Sequence, residues 1–349
     1  MAADVDVHLA SNMTPQASQF LSSQGVVMHE TSFTRRGRSP IELFRLGCRL
    51  SRLQSTIRPD VCHNVTIKPV LIGSLASRLS GPLPVVNAIS GFGYLLSDAE
   101  AGRVARTSTL QAYRAALRTP RQTRVVFQNR AALTEFVERE IVRRDDARII
   151  AGMGVDSDVF HPPASEPAPP VVMLVARMIR SKGIEEFINA ALLVHRELPN
   201  VRFVLVGPID AGNPLSYSEQ ELHELAMKSA VEYWGPTDDV AGAMRRSTLQ
   251  VFPTHHEGLP KTLLEAAATG RAIVATNIPG CREVIEDGKN GRLVPVRDPA
   301  RLAGTILELL ENDTERNRLG AAARRTAVEG HTVERVVQQH LDLYSELLE

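Results

Sequence analysis

A chain of 349 residues, 43% hydrophobic and 23% charged, is long enough to bury two ordinary cores, and this composition excludes both a disordered segment and a fibrous repeat. Net charge is zero from 40 basic and 40 acidic side chains, but the balance is uneven: residues 1–150 carry 20 Lys and Arg against 12 Asp and Glu, and the remainder 20 against 28. Cys48, Cys62 and Cys281 stand far apart without paired metal spacing, which points to buried free thiols rather than disulfides or a zinc site.

From the amino end, "AADVDVHLA" has no basic n-region, and the longest apolar stretch, "LPVVNAISGFGYLL", is too short and too glycine-rich to span a bilayer; a cytoplasmic chain is expected. Short β-rich runs then alternate with helical stretches, the pattern of parallel βαβ units. "VDVHLAS", "GVVMHET", "VCHNV", "LPVVNAI", "TRVVFQ" and "ARIIAG" read as strands of a first half, with "SPIELFRLGCRLSRLQSTI" as one of its helices. Arg35, Arg36, Arg38, Arg45, Arg49 and Arg52 carry its excess charge, either as a solvated face or as a surface that meets anionic lipid or a diphosphate. Nucleic acid fits poorly, because no aromatic residues interleave the arginines.

"HPPASEPAPP", residues 161–170, has five prolines and reads as an extended tether. A second series follows: "PVVMLVA", "NVRFVLVG", "AVEYWG", "TLQVFPT", "RAIVAT" and "NGRLVPV". The division is therefore 1–160, a linker at 161–170, 171–330, and a closing helix at 331–349 whose Val333, Val336, Val337, Leu341 and Tyr344 recur at helical spacing. Two doubly wound domains so joined face each other across a cleft, at the carboxyl ends of their strands, where ligands bind in such sheets.

Two stretches have the residues for chemistry. In "VARMIRSKGIEEFINA", a strand over 171–175 ends at Arg177, Lys182 and Gly183 before a helix that begins near Ile184; two cations beside free helix amides suit a diphosphate. The bland alternative is a solvated loop. In "THHEGLPKTLLEAAATG", a strand and a turn lead into a helix with Pro260 in its first turn and Gly270 as its stop. Glu257 and Glu265 are eight positions apart, about 12 Å along a helix axis and offset by about 80° if both are helical. One carboxylate could hold sugar hydroxyls and the other a ribose, with the amides of Gly258 and Leu259 between them; otherwise Glu257 favours the helix dipole and Glu265 is a solvated helix position. His255 and His256 project differently and have no third ligand nearby, so a metal site is not expected.

Together, residues 171–294 resemble the donor-binding half of a retaining glycosyltransferase of family 4, with the two-domain fold called GT-B. "VARMIRSKGIEEFINA" is similar to that family's diphosphate loop, and the resemblance implies that Arg177 and Lys182 contact the donor. "HHEGLPKTLLEAAATGRAIVAT" resembles its Glu-x7-Glu signature, which implies Glu257 at the sugar, Glu265 at the ribose, and Gly258, Leu259, Pro260 and Lys261 beside the donor. "YWGPTDDV" falls where the family contacts the base, implicating Trp234 and Gly235. "PDVCHNVTIKPVLIGSLASRLSGPLPVVNAISGFGYLL", "VVFQNR" and "GMGVDSDVF" look like the branch that extends undecaprenyl-diphosphate-linked glycans with N-acetylhexosamines or related sugars from UDP donors, in capsule, O-antigen or glycoprotein glycan assembly. Many members of the wider family have a histidine where this chain has Ser90; Ser90, Gly91 and Phe92 are expected to line the acceptor side of the cleft without a catalytic role.

The resemblance implies a metal-independent hexosyltransferase with no cofactor, acting on a nucleotide sugar and a lipid-linked acceptor, with peripheral contact at the inner membrane surface and no nucleic acid. Alternatives are a UDP-sugar epimerase of similar architecture, or a non-catalytic remnant. Relatives of this type begin with a strand, a glycine-rich turn and a helix ahead of the segment matching "VDVHLAS". About one βα unit, on the order of 30 residues, is thus expected to be missing, leaving a gap in the first sheet with unpaired backbone groups. A start site upstream of the Met1 codon is the favoured explanation over a shortened gene.

Overall fold

The structure is a computed structural model, and it describes residues 5–31, 33, 39–81, 83–90, 103–117, 122–229 and 231–349. Gly91 and Phe92 lie outside the described residues. In chain order the first half contributes β1 (His8–Ser11), β2 (Val27–Glu30), β3 (Cys62–Val65), β4 (Val85–Ile89), β5 (Thr123–Phe127) and β6 (Ala147–Ile149). The second contributes β7 (Val171–Val175), β8 (Arg202–Val206), β9 (Val231–Tyr233), β10 (Leu249–Phe252), β11 (Ala272–Thr276) and β12 (Arg292–Val294). Each of the twelve runs read as strands contains one of them, and every pairing between them is parallel.

The second half is one six-stranded sheet in the order β12-β11-β10-β7-β8-β9. Its strands are apolar on both faces, as helices on both sides require: all five residues of β7 and of β11 are buried, and two clusters, one around Phe187 and Phe203 and the other around Met173 and Ile273, fill the two faces. The strand order reverses between β7 and β10, which places the loops that follow these two strands on either side of a switch-point crevice.

The first half is interrupted. β3-β4-β5-β6 form one sheet and β1-β2 a separate pair. All of β1 and all of β3 line a cavity of about 740 Å³, together with Leu50, Leu53 and Ile57 of the helix Pro40–Ile57 and with Ser90. Ala10 and Phe33 pack on Leu46, Leu50, Ile72 and Ala76, so the two-stranded pair shares a helical layer with its neighbour but not a ladder.

The chain ends by returning to its first half. The helix Val333–Leu348 buries Val336, Leu343 and Leu347 against Val86, Val126 and Ile150. Its polar side is fastened too: Tyr344 Oη is 2.7 Å from His63 Nδ1, and Glu346 accepts from Arg124 and Arg148 at 2.9 and 2.5 Å. Cys281 is buried, whereas Cys48 and Cys62 are half-buried, and all three are free.

Candidate active site at the β7 and β10 loops

Past β7 the chain passes Arg177, makes a short turn of 3-10 helix at Arg180–Lys182, and enters the helix Ile184–Glu197 through Gly183 at φ 75°. A side chain at Gly183 would meet the Pro253 carbonyl oxygen at 2.1 Å, so glycine permits both the left-handed turn and the approach of the β10 loop. That approach is laced. His255 N–H and Thr254 Oγ1 both donate to the Ser181 carbonyl, at 2.9 and 3.1 Å, and His255 Nε2 lies 3.0 Å from Glu186 Oε1. Burial pushes the Glu186 carboxyl up, but the His255 contact, a backbone N–H and the charge of Arg297 together hold the group below its usual range. The role of His255 is thus to bind two loops together.

The lacing brings Lys182 Nζ onto Glu257 Oε1, with both side chains mostly buried. Burial, aided by the like charge of Arg177, lowers the Lys182 amine to about 8, so it remains protonated at neutral pH. Arg177 pairs with Asp210 at 2.5 Å. Arg177, Lys182, Thr254, Glu257, Leu259, Pro260, Lys261 and Thr262 line one pocket of about 200 Å³ at the carboxyl ends of β7 and β10. The amino end of the helix Lys261–Ala268 opens onto it, and among the described residues no side chain caps it.

Three expected residues sit differently. The helix begins at Lys261 after the extended Pro260, so Glu257 belongs to the preceding loop and the spacing of an ideal helix does not relate it to Glu265. Glu265 is 4% exposed rather than solvated, and its charge is met by Lys261 at 3.0 Å. Trp234 follows the edge strand β9, but its ring turns back along the sheet: Arg246 lies 4.5 Å and Arg202 5.8 Å from the ring centre, and it lines a cavity of about 690 Å³ with the proline-rich linker. The main chain of Gly235 stays at the carboxyl end, where its carbonyl accepts from Gly207 N–H at 2.9 Å. Ser90 lines the cavity of the interrupted sheet.

The structure gives contacts to residues for which the sequence offered no role, Asn129 and Arg130 of the "VVFQNR" run among them. Asn129, 2% exposed, donates from Nδ2 to the Gly258 carbonyl at 2.8 Å, and Arg130 N–H donates to Glu283 Oε1 at 2.6 Å. The first of these bonds joins the first half directly to the Glu257 loop, and the second joins it to the end of the helix Pro279–Arg282. Asp210, the partner of Arg177, stands in the loop that follows β8.

Among the described residues no three His, Cys, Asp or Glu side chains gather to hold a metal ion, and no helix is long and apolar enough to cross a membrane.

Residues 169–312 match the family model described as glycosyl transferases group 1, and residues 1–129 match glycosyl transferase 4-like. The N,N'-diacetylbacillosaminyl-diphospho-undecaprenol alpha-1,3-N-acetylgalactosaminyltransferase of Campylobacter jejuni is 24% identical over 95% of this chain and 89% of its own length. The alpha-maltose-1-phosphate synthase of Mycolicibacterium smegmatis is 27% identical over 86% of this chain and 83% of its own. The crystal structure of Anabaena HepE in complex with UDP-glucose superposes with a TM-score of 0.79 over 97% of this chain and 91% of that one, at 20% identity, and so shares the fold.

Proposed function

Since the chain belongs to the glycosyltransferases of the GT-B fold, we propose that it moves a hexose, with retention of configuration, from a UDP-sugar to a saccharide carried on undecaprenyl diphosphate. The observation behind this reading is the convergence of Arg177, Lys182, Glu257 and the amino end of Lys261–Ala268 on one pocket at the switch point of the second sheet. The acceptor rests on the Campylobacter relative, which spans nearly all of both chains and is named for such a substrate; an N-acetylhexosamine is the sugar that likeness favours.

In this reading the bond between sugar and diphosphate breaks as negative charge grows on the leaving phosphate. Arg177, Lys182 and the helix amides act on that growing charge, the kind of fixed electrostatic complementarity that contributes most to rate. Glu257 orients sugar hydroxyls. Among the described residues no second carboxylate lines the pocket with Glu257 to serve as a nucleophile; in this reading the acceptor attacks on the face the diphosphate leaves, and the departing diphosphate takes the proton. The two cations supply the charge that a divalent ion would, so transfer proceeds unchanged in chelator.

Thermal stabilisation by UDP-GlcNAc, UDP-GalNAc, UDP-glucose and GDP-mannose identifies the donor, since a ligand at 100 times its Kd adds about 2.7 kcal/mol. With that donor and a lipid-diphosphate acceptor, Glu257→Gln and Lys182→Ala each abolish most transfer while circular dichroism stays native. Near-native rates in both variants would remove the site assignment, and conversion of the UDP-sugar without an acceptor would make the enzyme an epimerase.

A further inference from the structure

We propose that Asn129 is a positioning residue for transfer, holding the Glu257 loop in place from the opposite half of the molecule. The inference rests on the reading of Glu257 as the acid that faces the sugar.

The amide of Asn129 is used at both ends. Its Oδ1 accepts from Ala132 N–H at 2.8 Å and so caps the helix Arg130–Glu138, while its Nδ2 donates, also at 2.8 Å, to the carbonyl of Gly258, 129 positions further along the chain. The next residue repeats the grip: Arg130 N–H, at the positive end of the same helix, meets the Glu283 carboxylate. Glu283 directly follows the short helix Pro279–Arg282, and that helix presses on the same loop from below. A Cβ added at Gly280 would come within 2.7 Å of the carbonyl oxygens of both Glu257 and Gly258. The Gly258 carbonyl is therefore seated between Gly280 of its own half and Asn129 of the other, and Leu259 rests against Gly152, where an added Cβ would lie 3.1 Å from its Cδ2.

The Gly258 carbonyl belongs to the Gly258–Leu259 peptide, which the Gly258 Cα joins to the Glu257–Gly258 peptide, and Gly280 abuts the carbonyls of both, so a turn of the held peptide shifts its neighbour and re-aims the Glu257 carboxylate. Reaction rate is steeply sensitive to such aim. Arg177 and Lys182, which take the diphosphate in this reading, hang from β7 and are not touched by Asn129. Loss of the clasp therefore shows in turnover and not in the affinity for UDP.

Asn129→Asp and Asn129→Ser separate the two roles, because both caps serve the helix as well as asparagine does while neither offers Nδ2–H to Gly258. The pair also separates loss of the donor from repulsion between a carboxylate and the carbonyl. The experiment uses the full chain, with UDP binding by calorimetry and turnover on the sugar nucleotide the wild type accepts. In both variants kcat is expected to fall by roughly 10- to 100-fold, with the Kd for UDP within about twofold of wild type. A kcat for Asn129→Ser within twofold of wild type overturns the proposal, and so does a UDP affinity that falls in step with kcat. A wild type that binds UDP-sugar and transfers nothing removes the reading of Glu257 and this inference with it, a result distinct from either of those.

Discussion

Lys182 is the side chain whose environment has the most direct chemical consequence. Its amine is brought down to about 8 by burial and by Arg177, yet it is the buried cation beside Glu257. Below pH 8 it is charged and, under the proposed function, would attract the donor diphosphate; above, the free site loses its proton while a bound diphosphate would hold it. Affinity for UDP is therefore expected to be level from pH 6 to 7.5 and to weaken toward pH 9.5, by up to about tenfold per unit, as measured by calorimetry; Lys182→Met binds more weakly and without this limb. Stability runs the other way. Between pH 8 and 10.5 the unfolded chain holds the proton that the folded chain has lost, so this group makes the fold more stable as pH rises through that window. The same residue shows how far local pattern carries: a basic pair after a buried strand and before a helix marks Arg177 and Lys182. Asp210 and Asn129 have no such marker, since their partners stand 33 and 129 residues away.

Among the elements, the helix Pro40–Ile57 has two unlike faces. Leu46 and Leu50 are buried, while Ile41 is 63% and Phe44 72% exposed, and the turns of the helix place them in one outward stripe with the exposed Arg45, Arg49 and Arg52. Apolar anchors among arginines are the pattern of a helix that lies on an anionic bilayer. Each arginine near such a surface contributes about 1 kcal/mol, so Arg45→Gln, Arg49→Gln and Arg52→Gln combined should lower binding to vesicles containing phosphatidylglycerol by at least about tenfold, read by co-sedimentation. The closing helix is tied down by His63, whose imidazole burial and the neighbouring His340 lower to about 4. A histidine kept neutral in the fold and free to charge when unfolded lends stability above pH 6.5 that is lost as pH falls from 6.5 toward 4. Urea unfolding should show wild type losing more stability over that interval than His63→Gln, by roughly 2–3 kcal/mol; equal losses would free His63 from the role. The amphipathic stripe is visible in the sequence as a 3.6-residue period, but the helix's dependence on a histidine 281 positions away is not.

At the scale of the whole molecule the two halves are unequally built. The second is a continuous six-stranded sheet with buried central strands, and the first is broken between β1 and β3, with two of the four residues of β1 exposed and the other two half-buried around a 740 Å³ cavity. A two-stranded ribbon is marginal by itself in water, and segments with few buried contacts open first. Hydrogen exchange should therefore find the amides of β1 and β2 exchanging orders of magnitude faster than those of β7 and β10, and bound UDP should slow the second group further while leaving the first unchanged. Uniform protection across both sheets would contradict this division.

What the sequence determined by itself is the alternation: twelve apolar runs punctuated by turn residues and helical periods, local properties of the chain that suffice for two doubly wound halves and for Arg177, Lys182 and Glu257 in the loops that follow their strands. Only the tertiary structure decided which neighbours those strands take and which side chains meet. Parallel strands that pair are separated by whole helices, so the order that sets β7 beside β10, the turn of Trp234 toward Arg246 and the reach of Asn129 to Gly258 all depend on packing between segments whose separation along the chain leaves no local trace, and the burial of Glu265, beside its helical neighbour Lys261, follows from the same packing.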